Sequence, residues 1–241
     1  MDAIKINRKQ ARMIAHRGLS GLELENSCAA FVAAGNRDYW GIETDVHQTV
    51  DGKFVIFHDD RTGRVSPTDI EVESADLETL RNLPLWEVRN DHALRWDLRM
   101  PIPEEYFTVC RRYGKVAVFE LKNPMSAELV RQLVDLAFEA VGAENVVFIS
   151  FCLQNLVYAR EYTDKAVCQF LLKEPMSQEH FDTMVRCRFG LDIKYTLVTP
   201  ELVKQIHDAG LEINCWTVDD PQDAEKLIEM GVDYITSNIL Y

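Results

Sequence analysis

Two histidines and three acidic residues of this chain share one kind of position: each stands where a short apolar run gives out. His16 follows Met13-Ile14-Ala15, Glu43 and Asp45 follow Trp40-Gly41-Ile42, His58 follows Val55-Ile56-Phe57, and Glu120 and Lys122 follow Val116-Ala117-Val118-Phe119. Such runs read as buried strands. Glu43 and Asp45 are two apart and so project to one side of their strand, as do Glu120 and Lys122. Three carboxylates gathered at one rim repel, at roughly 4 kcal/mol for like charges about 4 Å apart in an effective dielectric of 20. A divalent cation relieves that repulsion, and an all-oxygen donor set favours Mg²⁺, Ca²⁺ or Mn²⁺ over zinc. The plainer alternative is a set of salt-bridged residues at sheet ends.

His16 and His58 suit the two proton transfers of a displacement reaction, one from the nucleophile and one to the leaving alkoxide; the competing reading is a pair of satisfied structural imidazoles. Arg17, next to His16, and Lys122 bring cations to a phosphoryl group without making the whole protein basic. Pairing of Arg17 with Glu25 and of Lys122 with Glu120 is the structural alternative, compatible with the same role. His47 lies farther up the strand from Asp45 and reads as a solvated or pocket-edge residue. His92, His180 and His207 read as surface residues.

Positioning these groups requires a scaffold that collects strand ends. From residue 115 the chain alternates β-rich segments (115–121, 146–150, 166–172, 188–193, 212–218, 234–237) with helical patterns (127–141, 153–162, 177–185, 199–209, 221–230). Ser126 and Ser177 suit N-caps, Pro200 and Pro221 first turns, and Gly210 and Gly231 helix C-termini. Adding strands at 12–16 and 41–49 gives the eight parallel strands of an α/β chain folded as a (β/α)8 TIM barrel, with an open doubly wound sheet as the alternative. Closure of the barrel would unite His16, Glu43, Asp45, His58 and Glu120 at its C-terminal rim. One domain over 1–241 is expected, with a small irregular insertion around 61–103 that contains a short helix at 74–83. Asp51-Gly52 reads as a two-residue hairpin turn after the second strand, a register that sets Asp45 opposite His58.

The formal charge of −13 disfavours nucleic acid and anionic membranes as partners. No stretch is long or apolar enough to span a bilayer, and the polar start lacks a signal core, so a cytoplasmic protein is expected. Six scattered cysteines form no C-x-x-C pair and support neither a thiolate metal site nor a redox pair. Composition carries no information on oligomeric state.

His16-Arg17-Gly18, Glu25-Asn26-Ser27, Gly41-Ile42-Glu43-Thr44-Asp45-Val46, Thr49-Val50-Asp51-Gly52 and His58-Asp59 follow one another as in glycerophosphodiester phosphodiesterases. Glu120-Leu121-Lys122, Ser150-Phe151, Cys215-Trp216-Thr217-Val218 and Gly231-Val232-Asp233 extend the resemblance over almost the whole chain. The resemblance implies a metal-dependent barrel that cleaves glycerophosphodiesters to glycerol 3-phosphate and an alcohol. It implies Glu43, Asp45 and Glu120 as metal ligands, His16 and His58 as acid and base, and Arg17 and Lys122 as phosphate-binding residues. Phe151 and Trp216 would form an apolar wall for the glycerol or alcohol, with ordinary barrel packing as their alternative. Asn26 or Ser27 reads as a helix cap, and Asn26 stays outside the expected site. The chain departs from the family after His58-Asp59, where Asp60-Arg61-Thr62-Gly63-Arg64-Val65 replaces the usual apolar residue and Arg-Thr-Thr element. A lysophospholipase D-type phosphodiesterase and a non-catalytic phosphodiester-binding barrel are the competing readings.

Overall fold

The structure, a computed structural model, describes residues 2–87 and 92–241. Eight strands run parallel: β1 (Arg12–Ala15), β2 (Gly41–Gln48), β6 (Val116–Leu121), β7 (Val146–Ser150), β8 (Val167–Leu172), β9 (Gly190–Lys194), β10 (Ile213–Trp216) and β11 (Tyr234–Ser237). β1 pairs with β11 on one side and β2 on the other, so the sheet closes on itself. Helices fill the connections: α1 (Cys28–Gly35), α3 (Pro103–Tyr113), α4 (Ala127–Val141), α5 (Leu153–Tyr162), α6 (Gln178–Cys187), α7 (Pro200–Asp208) and α8 (Pro221–Met230). This is the (β/α)8 barrel, and the open sheet is excluded.

The helix boundaries follow the punctuation in the sequence. Ser126 Oγ accepts from Leu129 N at 3.2 Å and Ser177 Oγ from His180 N at 3.1 Å. Gly231 ends α8 at φ 93°, a left-handed conformation that a side chain disfavours.

Strand alternation divides the apolar residues into two shells. Met13 and Ala15, Ile42 and Val46, and Ala117 and Phe119 pack outward against the helices. Ile14, Val118, Val147, Ile149, Leu171 and Tyr234 fill the barrel interior. Because Glu43 is in register with Val118 and Asp45 with Glu120, the three carboxylates share the inward side. At the opposite end of the barrel the Arg12 guanidinium lies over Trp40 and Tyr234, 5.6 and 5.1 Å from the ring centroids.

Past the barrel, β2 continues as a hairpin with β3 (Phe54–Ile56), and its register differs from the expected one. Val46 faces Ile56 and His47 faces Val55, so Asp45 stands opposite Phe57, whose N–H donates to Asp45 O at 3.0 Å, rather than His58. The loop is one residue longer than a two-residue turn. Thr49 N bonds Lys53 O at 2.9 Å, with Val50, Asp51 and Gly52 between them and Gly52 at φ 73°.

The insertion is better organised than its composition suggests. It holds α2 (Leu77–Arg81), shorter than the expected 74–83 and capped by Asp76, and a small antiparallel pair, β4 (Trp86–Glu87) with β5 (Ala93–Leu94). Val65, Val72, Leu80, Leu85 and Met100 pack with Leu24, Val55 and Phe57 into a core of their own beside the hairpin. Residues 88–91 of the expected Trp86–Arg99 stretch lie outside the described residues.

Candidate active site

Glu43, Asp45 and Glu120 each offer a carboxylate oxygen within 4.8 Å of the others, and all three residues are buried. Arg17 N donates to Glu43 Oε2 at 2.7 Å, and Asn26 Nδ2 to Asp45 Oδ2 at 2.8 Å. Asp45 Oδ1 is buried without a hydrogen bond. Lys122 Nζ lies 2.9 Å from Glu120 Oε1 and 3.4 Å from Asp45 Oδ1, and Arg17 Nε lies 3.6 Å from Asp45 Oδ2. Burial, then the charges of Asp45 and Glu120, push the Glu43 carboxyl well above its usual range. Burial and Asp45 raise Glu120 to about 7. Burial also opposes ionisation of Asp45, yet Arg17, Lys122 and His58 hold it below the ordinary carboxylate value. Two neighbouring cations leave this crowding only partly relieved, so the oxygen set, with one orphaned atom, fits a hard divalent ion.

Each histidine is oriented from behind. His16 Nδ1 lies 2.7 Å from Asn238 Oδ1, which also accepts from Ser20 Oγ at 2.7 Å, while Asn238 Nδ2 donates to Asp219 Oδ2 at 2.6 Å. The amide oxygen can only accept, so His16 Nδ1 carries the proton and Nε2 keeps its lone pair. Burial and the Arg17 charge bring its pKa down to about 4. His58 Nδ1 bonds Asp59 Oδ1 at 2.6 Å. Asp59 in turn accepts from Arg64 Nε at 2.6 Å, and Arg64 forks onto Glu25 at 2.7 and 2.6 Å. Although burial opposes it, the bonds from His58 and Arg64 keep the Asp59 carboxyl ionised well below its usual range.

His16, Arg17, Glu43, His58, Glu120, Phe151 and Trp216 line one cavity of about 420 Å³, and Asp45 and Lys122 adjoin it through Glu120. The rings of Phe151 and Trp216 meet edge-on, 5.6 Å between centroids, with Phe151 exposed at the rim. Both expected ion pairs form, Arg17 with Glu25 at 2.9 Å and Lys122 with Glu120 at 2.9 Å, while Arg17 still lines the cavity.

Two expectations are corrected. Asn26 belongs to the site: it bridges Asp45 and Thr44 at 2.8 and 2.7 Å from a left-handed backbone at φ 51°, while Ser27 alone caps α1. His47 is fully buried, not solvated. Its Nδ1 bonds Glu73 Oε1 at 2.9 Å and its Nε2 meets His58 O at 3.3 Å, so it braces the backbone of the neighbouring histidine. Residues the sequence reading missed are Asp59, Arg64, Asp192, Asp219 and Asn238. The His58-Asp59 pair was a visible signal; the others come together only through the fold.

The family model described as "Glycerophosphoryl diester phosphodiesterase family" matches residues 16–239. The Bacillus subtilis (strain 168) protein YhdW is 30% identical over 94% of this chain and 93% of its own length. A glycerophosphodiester phosphodiesterase of Caldanaerobacter subterraneus subsp. tengcongensis is 26% identical over 94% of this chain and 93% of its own. Among solved structures, an Oleispira antarctica phosphodiesterase in complex with the product sn-glycerol-3-phosphate superposes with a TM-score of 0.86 at 25% identity, covering 95% of this chain and 94% of that one.

Proposed function

The chain belongs to the glycerophosphoryl diester phosphodiesterase family, and from that premise we propose that it hydrolyses glycerophosphodiesters to glycerol 3-phosphate and an alcohol at the cavity lined by His16 and His58. Family membership makes it a phosphoric diester hydrolase. The observation that carries the finer reading is the placement of two back-oriented imidazoles beside three crowded carboxylates.

Glu43, Asp45 and Glu120 would hold a divalent cation, with Mg²⁺, Ca²⁺ and Mn²⁺ all compatible with oxygen ligation. When bound, the ion polarises a phosphoryl oxygen. Arg17 and Lys122 orient the diester and match the charge that gathers on its equatorial oxygens in the transition state. His16, neutral and protonated on Nδ1, is the base: its Nε2 takes the proton of the nucleophile, water or the substrate's own neighbouring hydroxyl. His58 is the acid. Asp59 holds its Nδ1 at 2.6 Å and so aims Nε2, from which a proton passes to the departing alkoxide. Phe151 and Trp216 pack against the glycerol or alcohol portion. A cytoplasmic setting is supported by six cysteines that stand as free thiols.

Incubation of Mg²⁺-loaded protein with glycerophosphocholine tests the reading. Glycerol phosphate should appear, and should vanish with chelator and in His16→Ala. A barrel that only binds diesters releases none under any condition, and preferential cleavage of lysophosphatidylcholine would transfer the assignment to a lysophospholipase D.

A further inference from the structure

A histidine enclosed in a hairpin costs desolvation that an apolar side chain of the same size would not. His47 of β2 faces Val55 of β3 and is fully buried. Both of its ring nitrogens are engaged, Nδ1 with Glu73 Oε1 at 2.9 Å and Nε2 with the main-chain oxygen of His58 at 3.3 Å. Among the described residues no other group bonds that oxygen. A ring held at both ends cannot turn.

Glu73 comes from outside the barrel, in the helical turn Val72–Ser74 of the insertion. Its Oε1 also accepts from Asn123 Nδ2 at 3.0 Å, and the same amide donates to Asp60 Oδ1 at 3.1 Å. Beside these contacts Val72 N donates to Asp60 O at 2.9 Å. Asn123 directly follows Lys122, and Asp60 stands two residues after His58. One polar network therefore joins the strand that carries Asp45, the segment that carries His58, the loop after Lys122 and the insertion. None of these side chains lines the catalytic cavity, so the network reaches the reaction through the main chain at His58. Asp59 sets the direction of the imidazole, but a ring is aimed no better than the backbone that carries it. A misplacement of about 1 Å at a reacting group can cost about a hundredfold in rate.

We propose that His47 and Glu73 are positioning residues for proton delivery: through them the insertion fixes the main chain at His58 and aims its Nε2 at the leaving oxygen. The proposal rests on the diesterase reading above and gives the insertion a part in the reaction.

Two diesters that differ in their need for an acid test it, glycerophosphocholine and the p-nitrophenyl ester of glycerol 3-phosphate, cleaved by Mg²⁺-loaded protein. Choline departs as an alkoxide that needs a proton, whereas p-nitrophenolate is a stable anion and leaves without one. Glu73→Ala and His47→Met should each lower kcat on glycerophosphocholine about tenfold or more, with KM little changed, and slow the p-nitrophenyl ester about twofold or less. Glu73→Gln, which keeps an oxygen to face His47 Nδ1 and Asn123 Nδ2, should recover most of the loss. Should His47→Met fail to fold, Glu73→Ala decides alone, since that side chain is 40% exposed. Equal losses on the two diesters, as a merely structural role would give, or an unchanged rate on glycerophosphocholine, overturn the assignment. Failure of the diesterase reading shows separately, as a wild type that cleaves neither diester, and removes this proposal with it.

Discussion

Replacing one oxygen at Glu120 tests why three carboxyls share so little space. Burial and Asp45 raise this carboxyl from its ordinary 4.5 to about 7. Its favourable contribution is therefore complete below pH 4.5 and lost as pH rises through about 7. Metal-free protein should melt lower at pH 8 than at pH 5.5, and Glu120→Gln should flatten that slope while abolishing the calorimetric signal of Mg²⁺ binding. Asp59→Asn tests the other half of the site. With the carboxylate gone, His58 loses the anchor at its Nδ1, and under the proposed reaction kcat should fall about a hundredfold or more with KM little changed. The strand-end residues were legible because apolar runs fix where a strand stops and period-two alternation fixes which side a carboxylate takes. Asn26, Asp219 and Asn238 were not. Asn238 meets His16 from 222 positions away, across the seam where β1 joins β11, and no local pattern marks such a partner.

At the scale of elements, Ser caps, first-turn prolines and terminal glycines made α4, α6, α7 and α8 readable to within a few residues. α3 lacks a hydroxyl cap. Glu105 instead reaches back to Ile102 N at 3.0 Å and grips Arg81 at 2.7 and 2.9 Å, tying the insertion to the barrel. The Arg81 bond, against some burial, lowers its pKa from 4.5 to about 2. A depressed carboxylate stabilises above its unfolded value and loses that effect as pH falls from about 4.5 to about 2. Glu105→Gln should therefore cost about 1 kcal/mol at pH 7, discounted for solvent screening, and close to nothing near pH 2, measured by urea unfolding. The hairpin register escaped the sequence because Asp-Gly fits both a two-residue turn and the end of a three-residue loop. Gly52 has open space around its Cβ position, so Gly52→Ala should cost about 1 kcal/mol from backbone strain alone, with Gly52→Asn milder.

For the whole molecule, the formal charge of −13 and the crowded acidic centre act in the same direction, so a divalent cation relieves both. At a hundred times its Kd, a cation that binds only the folded chain adds about 2.7 kcal/mol, enough to raise the melting temperature by several degrees; chelator should reverse the shift in a thermal scan. The barrel was legible as a whole because parallel strands alternating with helices leave little topological choice. The insertion was not, since its apolar residues come in pieces too short to show a period yet join into a core with the hairpin. The stack of Arg12 with Trp40 and Tyr234 corks the barrel's foot. With the foot stoppered, a diester entering over the exposed ring of Phe151 and a phosphate leaving the same way would share one threshold, and turnover would become a queue in which product and newcomer compete.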